Sequence, residues 1–340
     1  MKCARKTRYR CSIYEIEMSE MKTAVVAIGG NALIEPGKRV TYENQMRRIR
    51  GTSEQLVDLI QIGYDIVLTH GNGPQIGSIL LQNELTRDEA PEMPLHALVG
   101  ESQGLLGYML QQSLSNELAR RGIEKIAVSI LTQVLVDDKD PAFVKPVKPV
   151  GKFYNQEQAK RLAVEMGWVF GYEKDEDAYR RLVPSPQPLK IIESKAIRRF
   201  IFGGEQQIEL IIACGGGGIP VIRRGDRYIG VDAVVDKDLA ACVLATDIKE
   251  KLLIMLTDVD YAYIDYGTER QRAIRSADVD EAERYLKDGH FGEGSMAPKI
   301  LAALRFLQQG GERAIITSLS KLKDAVLKAE GTHITRVKNE

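Results

Sequence analysis

Residues 211 to 224 read IIACGGGGIPVIRR: an apolar run, four consecutive glycines, then a second apolar run. Glycine loses the most chain entropy on folding, so four in a row behind a strand-like segment need a reason. Either the backbone takes positive φ angles between Gly215 and Gly218, or a bulky partner lies so close that no Cβ fits. Two further glycine turns occur upstream, AIGGNAL with Gly29 and Gly30, and THGNGPQIG with Gly71 and Gly73. Each of the three follows a β-branched run and so falls at the carboxyl end of a strand. In an open α/β sheet ligands bind at that edge, and backbone N–H groups exposed there suit phosphate or carboxylate.

Working outward, strand-like runs near 22 to 29, 65 to 70, 126 to 136, 209 to 214, 251 to 257 and 313 to 317 alternate with amphipathic stretches. ENQMRRIRGTSEQLVDLIQIG, ESQGLLGYMLQQSLSNELARRG and MAPKILAALRFLQQGG place apolar residues at helical spacing and close on glycine. This alternation predicts an α/β fold, a mostly parallel sheet covered by helices on both faces. Residues 139 to 188 break the pattern, holding six of the twelve prolines in DPAFVKPVKPVGKFY and RRLVPSPQP. Proline fixes φ and removes a donor, so the two brackets read as stalks of an inserted subdomain, with two plain surface loops as the alternative. Residues 1 to 20, basic and then acidic, are set aside as an N-terminal extension beside Met21.

Composition narrows the function. The 47 basic and 47 acidic side chains balance, so no bulk charge draws the chain to nucleic acid or an anionic membrane, and any anion site is local. Cys3, Cys11, Cys214 and Cys242 form no CxxC pair, and His70, His96, His290 and His333 lie far apart, so a cytoplasmic location fits and no metal site is expected. No apolar run approaches the roughly 20 residues of a membrane span. GxxxxGK[ST], HRD and DFG are all missing, which excludes a P-loop and a protein kinase. Gly71, Gly73 and Gly77 approximate a dinucleotide fingerprint, but the spacing is one residue long and the acidic residue expected downstream is not found.

Lysines carry the sharper signal. In GVDAVVDKDLAACVLA, Lys237 opens a helical stretch between Asp236 and Asp238. A cation at a helix N-terminus faces the positive end of the macrodipole and needs anions nearby, unless DKD is only a solvated face. Lys299 follows a Gly-Ser turn into a helix, and Lys148 sits between two prolines on the first stalk. Together with the glycine turns they suggest a cluster built for negative charge. Of the two flanking carboxylates, Asp238 is expected to point elsewhere on the helix.

VVAIGGNAL, THGNGPQIG, SQGLLGY, KPVKPVGKFY, RRLVPSPQP, ACGGGGIPV, GVDAVVDKDLAA, LTDVDYAY and GSMAPKILAA occur in this order, and from about residue 22 onward the chain closely resembles the carbamate kinases of the amino acid kinase superfamily. The resemblance implies one α/β domain over 21 to 340, a three-layer sandwich around an eight-stranded, largely parallel sheet. It also implies a protruding lid at about 139 to 188, Mg2+ with ATP or ADP, carbamate or carbamoyl phosphate as substrate, and a homodimer, for which SQGLLGYMLQQSL is the candidate face. Departures are Lys152 in place of the usual Pro and Asp232 in place of the usual Glu, which bear on lid stiffness and local geometry.

By the same resemblance Lys237 and Lys299 neutralise the moving phosphoryl group, Lys148 reaches down from the subdomain to the carbamate end, and Asp236 orients the lysines. Gly29, Gly30, Asn31, Gly71, Asn72 and Gly73 bind the carbamate end. Gly215, Gly216 and Gly217 wall the nucleotide side, with Asp258, Tyr263, Ser295 and Met296 in the nucleotide pocket. Competing expectations are another carboxylate kinase of the same fold, such as an acetylglutamate kinase, a non-catalytic carbamoyl phosphate binder, and more remotely a dehydrogenase.

Overall fold

A computed structural model describes residues 22 to 35, 37 to 204, 208 to 292 and 296 to 337. The expected N-terminal extension, the side chain of Asn31 and Ser295 lie outside the described residues. The chain runs β1 (Lys22–Ile28), α1 (Tyr42–Gln61), β2 (Tyr64–His70), α2 (Gly73–Thr86), α3 (Leu95–Arg120), β3 (Ala127–Ser129) and β4 (Gln133–Leu135). It continues through β5 (Lys148–Tyr154), α4 (Gln156–Met166), β6 (Val169–Glu173), β7 (Ala178–Val183), β8 (Lys190–Ile191), α5 (Ser194–Ile201), β9 (Leu210–Ile212), β10 (Ile219–Arg224) and β11 (Arg227–Gly230). The last third holds α6 (Lys237–Asp247), β12 (Leu252–Thr257), β13 (Ala262–Ile264), β14 (Arg272–Ile274), β15 (Ser276–Asp278), α7 (Val279–Lys287), α8 (Met296–Gln308), β16 (Arg313–Ser318), α9 (Leu322–Leu327) and β17 (Thr332–Thr335).

Eight strands form the central sheet in the order β15-β17-β16-β12-β1-β2-β9-β3. Every neighbouring pair is parallel except β16 with β17. Strand periodicity divides the side chains of β1 between two cores. Val25 and Ala27 face one that includes Leu239 and Leu244 of α6 and Phe306 of α8. Ala24, Val26 and Ile28 face the other, with Ile49 and Leu56 of α1 and Leu106 and Met109 of α3. Both faces are therefore buried, as a parallel sheet requires, and each of the buried Val, Leu, Ile, Met and Phe side chains among them contributes about 1.5 to 3 kcal/mol. The three layers are helix, sheet and helix.

Residues 126 to 136, expected as one strand, are two. β3 pairs with β9 in the central sheet, whereas β4 pairs with β10 in a second sheet of order β11-β10-β4-β8. Between them Gln103 of α3 stands in for a strand neighbour: its amide oxygen accepts from the Thr132 N–H at 2.9 Å and its amide nitrogen donates to the Thr132 carbonyl at 3.0 Å. The turn is thus satisfied by a side chain that strand periodicity could not reveal.

Residues 139 to 188 contain a separate antiparallel sheet of order β5-β7-β6, with α4 joining β5 to β6. A capping box between Asn155 and Gln158 starts α4, and Gly167 ends it in the left-handed region at φ 65°. The unit has its own small core, in which Tyr154, Ala159 and Leu162 pack against Trp168, Phe170 and Tyr179. It meets the body where Gly151 of β5 lies against Gly77 of α2, with room for no more than ordinary contact: a Cβ on Gly77 would stand 3.8 Å from the Gly151 Cα.

Candidate active site

Strands β1, β2 and β12 end side by side, and a cleft of about 390 Å³ opens at their carboxyl ends. Gly29, Gly30, Gly71, Asn72 and Gly73 line it, as do Lys148, Asp236, Lys237, Asp258 and Lys299. Three segments far apart in sequence therefore deliver one lysine each to a single space. Small residues make room for them: a Cβ on Gly71 would stand 3.2 Å from the Lys237 Cδ, so the glycine lets that alkyl chain lie across the β2 turn. α2 begins beside the cleft with no side-chain cap, because Asn72 turns its amide to donate to the Ser102 hydroxyl at 2.8 Å. An uncapped helix start offers its N–H groups to an anion.

The carboxylates divide their roles in a way the sequence does not suggest. Asp236 is the N-cap of α6; one oxygen accepts from the backbone N–H groups of Asp238 and Leu239, and the other holds Lys148 Nζ at 3.2 Å. Asp238, expected to point elsewhere, instead takes Lys237 Nζ at 2.7 Å on one oxygen and Lys299 Nζ at 2.8 Å on the other. The correction has a physical cause. Capping consumes one oxygen of Asp236, so a second carboxylate, two positions on and just inside the first turn, is needed to counter the two deeper lysines.

The electrostatics follow from burial. Asp238 is only 3% exposed. Burial alone pushes its carboxyl up, but Lys237 and Lys299 outweigh that and hold it below the usual carboxylate range. Lys299 is pushed below the usual lysine range, first by burial and then by the charge of Lys237, with Asp238 opposing both. Two ammonium groups thus share one buried carboxylate, an arrangement in which an incoming anion is favoured.

The glycine run also receives its answer. Gly216, Gly217 and Gly218 have φ of 64°, 90° and 89°, and Cys214 ahead of them has φ 53°. Close partners are equally present, and they are protein groups: a Cβ at Gly215 would lie 2.5 Å from His70 Nε2, at Gly216 2.2 Å from Asn72 Nδ2, and at Gly217 2.3 Å from the Val235 carbonyl oxygen. Only Gly216 lines the cleft, beside Asn72, while Gly215 and Gly217 are buried behind it. His70 beneath them is fully enclosed, and burial pushes its imidazole down to about 4, so it stays neutral at ordinary pH.

Of the remaining expected residues, Tyr263 sits on the β13–β14 hairpin, its ring 6.3 Å from Tyr261 and 5.8 Å from Tyr266, and Met296 packs on the core; neither lines the cleft. Lys152 pairs with Glu84 at 2.9 Å, and Asp232 faces His96 at 3.4 Å. One cationic cleft residue is missing from the sequence-based set. Arg180 of β7 reaches the cleft with its guanidinium over the Phe153 ring, 5.3 Å from the centroid, and its Nε is buried with no hydrogen-bond partner among the described residues. The signal for it was the alternation in YRRLV once that segment is placed as a strand. Among the described residues no three metal-ligating side chains converge.

A cleft of lysines and uncapped backbone at the ends of parallel strands defines a protein that handles small anions. The sequence profile of the amino acid kinase family matches residues 22 to 318, and the chain belongs to that family. Its similarity to the carbamate kinase of Pyrococcus horikoshii is 47% identity over 316 residues, covering 92% of this chain and 98% of that one. The carbamate kinase of Trichomonas vaginalis is 46% identical over 91% of this chain and 98% of its own. Among solved structures, carbamate kinase from Giardia lamblia bound to AMP-PNP superposes with a TM-score of 0.86 at 41% identity, over 92% of this chain and 98% of that one.

Proposed function

We propose that this chain is a carbamate kinase, catalysing reversible phosphoryl transfer between ATP and carbamate. The observation that carries the reading is the convergence of Lys148, Lys237 and Lys299 on one cleft, each held by a carboxylate. Carbamate and ATP are both anions, so the obstacle is repulsion. In the forward direction a carbamate oxygen forms a bond to the γ-phosphorus as the bond to the β–γ bridging oxygen breaks, giving carbamoyl phosphate and ADP. Carbamate is already ionised, so no base has to create the nucleophile, which suits a cleft whose nearest histidine, His70, is buried and neutral. Catalysis then rests on position and charge.

Lys237 and Lys299 neutralise the transferring group while Asp238 fixes both, and Lys148 arrives from the subdomain. Gly29, Gly30, Asn31, Gly71, Asn72 and Gly73 hold the carbamate end through backbone N–H groups and the Asn72 amide. Gly216 stands with them, and Asp258 serves the nucleotide; contacts from Gly215, Gly217, Tyr263, Ser295 and Met296 rest on family resemblance alone. The magnesium ion enters with the nucleotide phosphates as part of the substrate, in keeping with its habit of binding through phosphates and one or two carboxylates.

Residues 139 to 188 act in this reading as a lid that moves Lys148 relative to Asp236. Leu105 and Tyr108 on α3 are 41% and 53% exposed, and this face is proposed as the contact between two copies in a cytoplasmic homodimer. The deciding experiment measures ATP formed from ADP and carbamoyl phosphate by the purified chain. ATP consumption driven by acetylglutamate, or carbamoyl phosphate binding without turnover, would overturn the assignment.

A further inference from the structure

On β7, successive side chains point to opposite faces, so Arg180 and Arg181 serve different spaces. Arg180 reaches the cleft, whereas Arg181 lines a second cavity of about 350 Å³ on the other side of the subdomain sheet. This cavity spans the junction between subdomain and body: Val150, Lys152 and Trp168 come from one side, Leu80, Leu95 and Leu98 from the other. Its charged groups are mostly spent. Lys152 Nζ and the Tyr154 hydroxyl both bind Glu84, each at 2.9 Å, and Asp232 faces His96.

Arg181 is the exception among the cations. Its guanidinium stacks on the Trp168 ring, 4.0 Å from the centroid, and among the described residues it has no hydrogen bond or ion pair. Burial holds it below the ordinary arginine range, against the opposing charges of Asp232, Glu92 and Glu84. Its fork of donors faces the cavity without an acceptor among the described residues, and a carboxylate matches it in shape and charge. The apolar walls accept a hydrocarbon tail, and the volume falls at the small end of ligand sites. Glu92 and Asp232 on the same lining disfavour a dianion.

We propose that this cavity is a second ligand site, distinct from the cleft, that takes a small monocarboxylate with an apolar tail, its carboxylate on Arg181 and its tail against Leu80, Leu95 and Leu98. The proposal stands on this geometry and is independent of the reaction assigned to the cleft. Because the walls belong to both the subdomain and the body, such a ligand bridges the two, with Lys148 only two residues from Val150.

The chain's single tryptophan, Trp168, lines the cavity and reports on it directly. Titrating the full chain with hexanoate should give a saturable change in tryptophan emission, with acetate binding far more weakly and inorganic phosphate producing none. Arg181→Gln should weaken hexanoate by at least about tenfold, the scale of one charge-assisted hydrogen bond. Leu80→Phe, which fills the cavity and leaves the arginine in place, should abolish the change while ATP formation persists. Absence of a saturable change, an equal response to phosphate or acetate, or retention of affinity in Arg181→Gln or Leu80→Phe would each overturn the proposal.

Discussion

Asp238→Asn removes one negative charge and almost no volume. The carboxylate it replaces is nearly inaccessible to water and carries Lys237 at 2.7 Å and Lys299 at 2.8 Å on its two oxygens. An asparagine amide can accept from one ammonium group but turns a donor toward the other, so two cations are left facing each other with their common counterion gone. Breaking a buried pair by deleting one partner costs about 3 to 5 kcal/mol. The Lys237 side chain is 18% exposed and recovers some water, which places the expected loss of stability near the lower limit, roughly 3 kcal/mol. Turnover should fall by at least about 10³, since two preorganised contacts lose their anchor and each is worth on the order of 10² to 10³.

The comparison is Asp236→Asn. Its amide oxygen can still cap α6, and the lost pair involves Lys148, whose side chain is 38% exposed, so solvent screening holds the stability cost below about 1 kcal/mol. Its turnover should fall only about tenfold, the consequence of a less well placed Lys148. The assay is ATP formation from ADP and carbamoyl phosphate at saturation, paired with urea unfolding of each variant. If Asp236→Asn lost more turnover than Asp238→Asn, or if Asp238→Asn unfolded at the wild-type midpoint, the division of roles between the two carboxylates would be refuted.

Lys148→Ala should lose about 10² to 10³ in kcat with an unchanged unfolding midpoint, whereas Lys299→Ala, which strips a partner from buried Asp238, should lose both; equal midpoints for the two would count against the burial argument. Gly216→Ala puts a Cβ 2.2 Å from Asn72 Nδ2 at a positive φ. It should cost about 2 to 4 kcal/mol in urea unfolding and raise the KM for carbamoyl phosphate by displacing Asn72, so a neutral outcome would show the run to be adaptable. Folded His70 stays neutral down to about pH 4, while the unfolded chain takes up that proton near 6.5, so between these values the unfolded state binds more protons and stability rises with pH. The contribution is fully present above pH 6.5 and about 2 kcal/mol of it should be gone at pH 5; His70→Asn should flatten that slope, and an unchanged slope would place the acid sensitivity elsewhere.

The central sheet was legible because its strands are short apolar runs that end on glycine, and the two cores follow from the alternation in KTAVVAI. The lysines were legible because charge between apolar neighbours, as at Lys237 and Lys299, needs an explanation. Asp238 was misjudged because which of two carboxylates turns inward depends on which one caps the helix, a choice made by backbone geometry that DKD does not encode. The bend at Thr132 escaped for a similar reason: its partner, Gln103, comes from a helix 29 residues earlier in the chain. Arg180 and Arg181 read as one basic pair until the strand assigns them to opposite faces. The glycine run was correctly taken as a sign of crowding, but the crowding comes from His70, Asn72 and Val235, and sequence spacing says nothing of such distant neighbours.

Among the described residues four cationic side chains line the cleft, Lys148, Arg180, Lys237 and Lys299, against the three carboxylates Asp236, Asp238 and Asp258. Seen from beyond a Debye length, about 8 to 10 Å in ordinary salt, this is nearly a neutral patch on a chain of zero formal charge. Strongly charged substrates are therefore not drawn in from a distance. They meet the lysines only on contact, where the anion displaces or shares an aspartate already in place. Capture depends on diffusion and fit, and kcat/KM should change only a few-fold between low and physiological ionic strength, in contrast to the steep dependence of a steered encounter.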